Sequence, residues 1–148
     1  MKRAALAIAT VCRLGRCPLA PGTAGALVGV LLYLAVFPLA WQVYLMITAA
    51  LFVLGVWAST VAEEALGGKD PSQVIIDEVV GYLITMFCIP FSIQAVVIGF
   101  ALNRVLDIIK PYPANKAEKA GKGLGIMADD LVSSIYANIL LRLILYFL

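Results

Sequence analysis

The residues best suited to chemistry in this sequence are acids and bases set between strongly apolar segments. On a helix, Asn103, Asp107 and Lys110 would form one stripe, with Arg104 one turn from Asp107. Lys110 precedes a proline, which predicts that this helix ends at Lys110. Ionisable groups in so apolar a chain are expensive to desolvate, so a recurring cluster of them is expected to pair, bind ions or serve a substrate.

Two pairs of adjacent acids complete this set, and together they suit a hard metal ion. Asp77 and Glu78 precede one apolar segment, and Asp129 and Asp130 precede another. The sequence has no histidine, which argues against zinc and leaves carboxylates as the donors that Mg²⁺ prefers. We therefore predict Asp77, Glu78, Asp129 and Asp130 as metal ligands. The structural alternative is that each pair only caps the N-terminus of a helix.

A site made of acids alone would repel a phosphate, so cations must accompany them. Arg104 can clamp a phosphate with two parallel hydrogen bonds, and Lys110 adds a point charge. Gly22 and Thr23 lie in a glycine-rich helix start, with Thr23 as the expected N-cap, where backbone N–H groups can bind an anion. The alternative is a simple helix entry turn. The alternating glycines at 121, 123 and 125 fit either a flexible linker or a phosphate-binding nest.

Composition places these residues in a membrane protein. The chain has 148 residues, of which 63% are hydrophobic and 14% charged, and its mean hydropathy is +1.00. A soluble domain is less apolar and carries more charge. With a net charge of only +2 and no basic stripe, nucleic acid is a poor partner. The three cysteines are expected to be reduced and without a catalytic role.

The expected fold is all-α, a single domain of residues 1–148 forming a polytopic membrane bundle. Residues 1–22 predict a short N-terminal helix lying on the membrane surface. About five transmembrane helices follow, because prolines and short polar loops interrupt the apolar sequence. Their expected ranges are Thr23–Phe37, Trp41–Ala62, Val74–Ile89, a segment ending at Ile109, and Leu131–Leu148.

Charge predicts the orientation of this bundle. With the N-terminus in the cytoplasm, every lysine of a connecting loop lies inside, and the two outer turns carry no charge. In that orientation the acids of the third, fourth and fifth helices lie at or near their cytoplasmic ends. The predicted site therefore faces the cytoplasm, and Arg142 is the one charged residue placed deep in the membrane.

Four motifs together resemble the phosphatidylglycerophosphatase A family. They are PGTAG at 21–25, IIDEVVG at 75–81, RVLDIIKPYP at 104–113 and GIMADD at 125–130. The resemblance implies a Mg²⁺-dependent phosphatase of the bacterial inner membrane. Its substrate would be phosphatidylglycerophosphate in the bilayer, with membrane lipids as its surroundings. It also implies that Asp77, Glu78, Arg104, Asp107, Lys110, Asp129 and Asp130 occupy the family's motif positions.

The expected mechanism is hydrolysis of a phosphomonoester. Arg104, Asp107, Lys110, Asp129 and Asp130 are the predicted catalytic residues, with Asp107 as general base or metal ligand. Water is the favoured nucleophile, and a phosphoaspartate intermediate stays open. A CDP-alcohol phosphotransferase, a divalent-cation transporter and a structural subunit are the rival functions. The oligomeric state is also open, a homo-oligomer included.

Overall fold

Every regular element in the computed structural model is helical over the residues it describes, which are 1–17, 20–68, 71–117 and 120–148. The all-α prediction is therefore confirmed for these parts of the chain. A single turn of 3₁₀ helix, Leu14–Arg16, follows the first helix. The α-helices are α1 (Lys2–Ala9), α2 (Pro21–Val36), α3 (Trp41–Leu66), α4 (Ile76–Met86), α5 (Ile93–Ile109), α6 (Ala114–Ala117) and α7 (Lys122–Phe147).

Helix length separates these elements into two groups. Among the described helices, α3 and α7 are long and apolar enough to cross a membrane, with 26 residues each. Helix α2 is a shorter apolar helix, and α4 has only 11 residues. At about 1.5 Å per residue α4 covers roughly 16 Å, against a hydrocarbon core of about 30 Å. The structure supports two candidate crossings, and the predicted five stay a prediction.

The five longest helices nevertheless alternate in direction. The rings of Phe37 and Phe91 stack at 4.5 Å, which brings the end of α2 and the start of α5 together. At the other end of the bundle, Lys122 Nζ lies 2.9 Å from Glu64 Oε1, which joins the start of α7 to the end of α3. The polar segments predicted to share one face therefore do lie at one end.

Helix α4 forms the centre of the bundle. It packs against α2, α3, α5 and α7, and most of its side chains are buried. Tyr82 and Leu83 are fully buried on it, and the Tyr44 hydroxyl of α3 donates a 2.7 Å hydrogen bond to the Leu83 carbonyl. Because the first turn of this central helix carries Asp77 and Glu78, these acids are held by the best-packed element of the fold.

The beginning of α2 differs from the prediction at Thr23. The helix starts two residues earlier, at Pro21, with Ala20 as the N-cap and no side-chain capping bond. Proline suits the first helical position because its fixed φ is already helical and it has no N–H to leave unpaired. Thr23 thus lies inside the first turn, and its predicted N-cap role is wrong. The predicted end of α5 is confirmed, since Lys110 is its C-cap.

The last helix begins nine residues before the predicted Leu131, at Lys122. Gly123 explains the difference. A Cβ at this position would collide with the Val56 carbonyl and lie 2.6 Å from Thr60 Oγ1, so α7 and α3 approach closely here. Gly123 is therefore a helix-packing residue and Gly125 is buried in the same helix, so neither lies in a flexible linker or a phosphate nest. Asp129 and Asp130 lie well inside the helix, which excludes a capping role for that pair.

This close approach predicts a stability effect for Gly123→Ala. The added methyl group would push α7 away from the α3 backbone, and overpacking of this kind costs about 1–3 kcal/mol. We expect a lower thermal unfolding midpoint in detergent, despite the higher helix propensity of alanine. The neighbouring change Leu124→Ala, at an exposed side chain, is the control and should move the midpoint much less. Equal midpoints for Gly123→Ala and the wild type would contradict the close packing.

Candidate active site

One cavity of about 340 Å³ brings the predicted charged residues together. It lies where α2 and α4 begin and α5 ends, beside Asp129 and Asp130 about two turns into α7, so residues far apart in sequence meet near one end of the bundle. Thr23 is the predicted site residue that does not line this cavity. The predicted residues that do line it are Gly22, Asp77, Glu78, Arg104, Asp107, Lys110, Asp129 and Asp130. We call this space the carboxylate cavity.

Four of its acids come from two facing helices and are buried or nearly so. Asp129 and Asp130 on α7 are only 3% and 4% exposed. On α4, Asp77 and Glu78 are adjacent, and Glu78 also interacts electrostatically with Asp130. The fifth acid, Asp107 on α5, interacts with both Glu78 and Asp130. Carboxylates this close repel one another, so the arrangement requires positive charge or protons among them.

The two cations of the cavity supply part of that charge. Arg104 Nη1 lies 3.1 Å from Asp107 Oδ2 and 3.8 Å from Glu78 Oε1, so it joins α5 to α4. The Lys110 ammonium group forms an ion pair with the Asp129 carboxylate on α7. Both cations thus contact acids of the cavity, and five acids against two bases still leave an excess of negative charge.

Gly22 makes room for the arginine. A Cβ at Gly22 would lie 2.7 Å from Arg104 Nη2 and would collide with a carboxylate oxygen of Glu78. A larger residue at this position would require the Glu78 and Arg104 side chains to shift. The backbone of that turn borders the cavity through Pro21 and Gly22, although the predicted contribution from Thr23 is not seen.

The carboxylates fit a magnesium ion that is completed by its substrate. Among the described residues no group of three or more acids or cysteines forms a ready metal cage. Buried oxygens of Glu78 and Asp130, Oε2 and Oδ2, accept no hydrogen bond within the part of the chain described. Mg²⁺ usually takes one or two protein carboxylates together with waters and substrate phosphates. The donor set is consistent with that mode of binding.

Beneath the acids lies a polar layer of which the sequence analysis identified Asn103 but not its partners. The buried Asn103 Oδ1 accepts hydrogen bonds from Thr85 Oγ1 at 2.7 Å and from Ser134 Oγ at 3.1 Å. Gly81 lets these groups meet, because a Cβ there would lie 2.7 Å from Ser134 Oγ and 3.3 Å from Asp130 Oδ2. The available signal was the occurrence of Asn, Ser and Thr inside apolar segments. This layer connects α4, α5 and α7 next to Asp130.

Two further residues at the cavity were also missed. Ser72, from the loop before α4, contributes an exposed hydroxyl group. Ile108 lies between Asp107 and Lys110 in sequence and lines the cavity while 74% exposed. The cavity therefore has a polar edge toward the loop and an open apolar edge on α5. An amphipathic molecule with a phosphate group matches both edges.

Five acids that meet an arginine and a lysine at one end of a helical bundle are a side-chain set typical of proteins that handle phosphate. The family model described as phosphatidylglycerophosphatase A matches residues 7–145 of this chain. The chain therefore belongs to the phosphatidylglycerophosphatase A family, and it is an enzyme, a phosphatase. Its family and its two apolar helices also indicate association with a membrane.

Individual relatives support this membership. The phosphatidylglycerophosphatase A of Haemophilus influenzae is 37% identical over 87% of this chain and 81% of its own length. That of Escherichia coli is 32% identical over 82% of this chain and 72% of its own. A Bacteroides thetaiotaomicron protein, provisionally named a phosphatidylinositol-3-phosphatase, is 40% identical over 86% of this chain and 84% of its own. No solved structure gives a significant match.

Proposed function

We propose that this protein hydrolyses the terminal phosphomonoester of phosphatidylglycerophosphate, giving phosphatidylglycerol and phosphate, with Mg²⁺ as cofactor. The observation that carries the proposal is the carboxylate cavity, which unites five acids with Arg104 and Lys110. The names of the relatives described as phosphatidylglycerophosphatase A indicate the substrate. The name of the Bacteroides relative adds a second candidate, a phosphoinositide, whose reacting group is also a phosphomonoester.

In the proposed mechanism, metal ligands are drawn from Asp77, Glu78, Asp129 and Asp130. The metal ion, when bound, supplies positive charge against the phosphoryl oxygens and favours ionisation of the attacking water. Arg104 and Lys110 turn from their acid partners to the phosphoryl group as the substrate enters. Asp107 beside Arg104 is placed to accept the proton of the water. The glycerol oxygen leaves with a proton, so a phosphomonoester and water become an alcohol and phosphate.

The proposed location is the bacterial inner membrane, with several crossings and the cavity facing the cytoplasm. Lys110, Lys116 and Lys122 lie at the cavity end of the alternating helices. The turns at the opposite end, residues 37–40 and 87–92, carry no charge. This asymmetry is typical of cytoplasmic and external ends, respectively. Toward the opposite end, Arg142 Nη2 donates a 2.9 Å hydrogen bond to the Phe87 carbonyl, which gives this arginine a structural partner.

Phosphate release in detergent micelles tests the reaction. We expect the wild type to release phosphate from phosphatidylglycerophosphate with Mg²⁺, and EDTA to stop the release. Asp129→Asn removes one carboxylate and the ion-pair partner of Lys110, so we expect a loss of at least about 100-fold. Phosphatidylinositol 3-phosphate is assayed in parallel, and the ratio of kcat/KM for the two lipids identifies the preferred substrate.

Folding is monitored by thermal unfolding of both proteins in the same detergent. No release of phosphate from either lipid by well-folded wild type would contradict the proposed reaction. Faster release from the phosphoinositide would support phosphatase activity and identify the phosphoinositide as the preferred substrate. Release that persists after EDTA treatment would contradict the metal requirement. Mg²⁺ flux into protein-containing vesicles without phosphate release would favour the cation transporter instead.

A further inference from the structure

A second cavity, which shares no lining residue with the carboxylate cavity, is lined by three arginines. It measures about 500 Å³ and lies between α1, the turn after it, and the end of α3. Arg3, Arg13 and Arg16 line it, together with the apolar Leu6 and Leu66. Among the described residues, no acid lines it. We call this space the arginine pocket.

The turn that carries Arg13 has a strained and well-anchored backbone. Val11, Cys12 and Arg13 have φ values of 44°, 54° and 75°, in the left-handed region that such residues avoid. Thr10 holds this turn by donating to the Leu6 carbonyl at 2.7 Å and accepting from the Arg13 N–H at 3.1 Å. Strain of this kind persists only where the surroundings impose it, and it is often found at binding sites.

The pocket is also tied to the rest of the fold. The Ile75 N–H donates a 2.9 Å hydrogen bond to the Ala9 carbonyl, which fixes the end of α1 to the segment before α4. Ala5 and Ala9 are fully buried on α1. The backbone of α1, which carries one wall of the pocket, is therefore held by the bundle.

Charge identifies the kind of ligand. Within the described part of the chain, none of the three arginines forms an ion pair with an acid. Guanidinium groups that share a pocket repel one another, and arginine is the side chain best suited to bind phosphate oxygens. The leucines beside them suit the glycerol and first methylene groups of a lipid. Basic pockets at the cytoplasmic ends of membrane helices are typical sites for lipid head groups.

We propose that the arginine pocket binds the phosphodiester group of an anionic membrane phospholipid. This site is distinct from the carboxylate cavity and needs no hydrolysis, so it stands whether or not the proposed reaction is correct. Free inorganic phosphate shares the anionic chemistry but would leave the leucines uncovered. Binding of a lipid there holds α1 and its turn against the membrane surface.

Native mass spectrometry of the full chain in detergent tests this proposal. The probes are dioleoylphosphatidylserine, which is neither substrate nor product of the proposed reaction, and the zwitterionic dioleoylphosphatidylcholine. We expect the wild type to bind the serine lipid at least roughly tenfold more tightly. The double change Arg13→Gln and Arg16→Gln should remove this preference. Both side chains are exposed, so the fold should persist; Arg3→Gln is the milder variant if it does not.

The matched control is the double change Lys2→Gln and Lys116→Gln. It also removes two positive charges, but from exposed positions that do not line the pocket. The lipid preference should therefore remain. If both double variants lose the lipid preference equally, the preference is a general effect of positive charge and the proposal is overturned. Displacement of the serine lipid by millimolar inorganic phosphate would assign the pocket to free phosphate. Equal binding of the two lipids by the wild type would also overturn it.

Discussion

We expect Asp130→Asn to abolish phosphate release while leaving the bundle at least as stable as the wild type. Asp130 is buried at the meeting point of α4, α5 and α7, next to Asp107 and beneath the other acids. Asparagine keeps the shape of the side chain and removes a negative charge that burial and the neighbouring acids disfavour. A proposed metal ligand is lost at the same time, so kcat should fall by about three orders of magnitude or more.

Two measurements on the same preparation check this expectation. Phosphate release is followed in mixed micelles, and thermal unfolding is followed in the same detergent. Glu64→Gln is the matched control, because Glu64 is an acid at the same end of the bundle that pairs with Lys122 outside the cavity. The control should retain activity within about twofold, as expected for an exposed ion pair. An active Asp130→Asn protein would exclude this residue from the chemistry.

The second large effect is expected from Arg104→Lys, which keeps the positive charge. The planar guanidinium of Arg104 contacts both Asp107 and Glu78, on two different helices. A lysine ammonium is a point charge that cannot keep this geometry or clamp two phosphate oxygens in parallel. We therefore expect kcat/KM for phosphate release to fall about 100- to 1,000-fold.

The same substitution elsewhere provides the control. Arg142 on α7 donates to the Phe87 carbonyl and to Asn138 Oδ1, away from the carboxylate cavity. Arg142→Lys should lower the unfolding midpoint slightly and leave kcat/KM within about twofold. If both variants lose activity equally, the loss at Arg104 reflects the general importance of arginine for this fold. The proposed clamp would then be wrong.

The charged residues of the cavity could be predicted from sequence because they contrast with the apolar segments around them. A carboxylate such as Asp77 in a chain of this hydropathy has few structural uses. Spacing then placed Asp107 and Lys110 on one side of a helix, and both line the cavity. The roles assigned to these residues stay predictions.

Other features depend on packing between helices that local sequence does not encode. Gly123 looks like a loop residue until its contact with the α3 backbone is known, and this contact extends α7 past the expected start. Thr23 is a residue type that often caps helices, but α2 already begins two residues earlier, at Pro21. Asn103 was visible in the sequence, whereas its partners Thr85 and Ser134 come from two other helices.

For the proposed lipid substrate, the open apolar edge at Ile108 makes the surface concentration of substrate in the membrane the relevant quantity. In the proposed orientation a lipid reaches the carboxylate cavity sideways along the leaflet, with its acyl chains against α5 and never in water. The turnover rate then depends on the mole fraction of substrate in the membrane surface, and dilution with inert lipid lowers it at constant bulk concentration. The product is returned to the same leaflet, where it competes with the next substrate molecule by lateral diffusion alone.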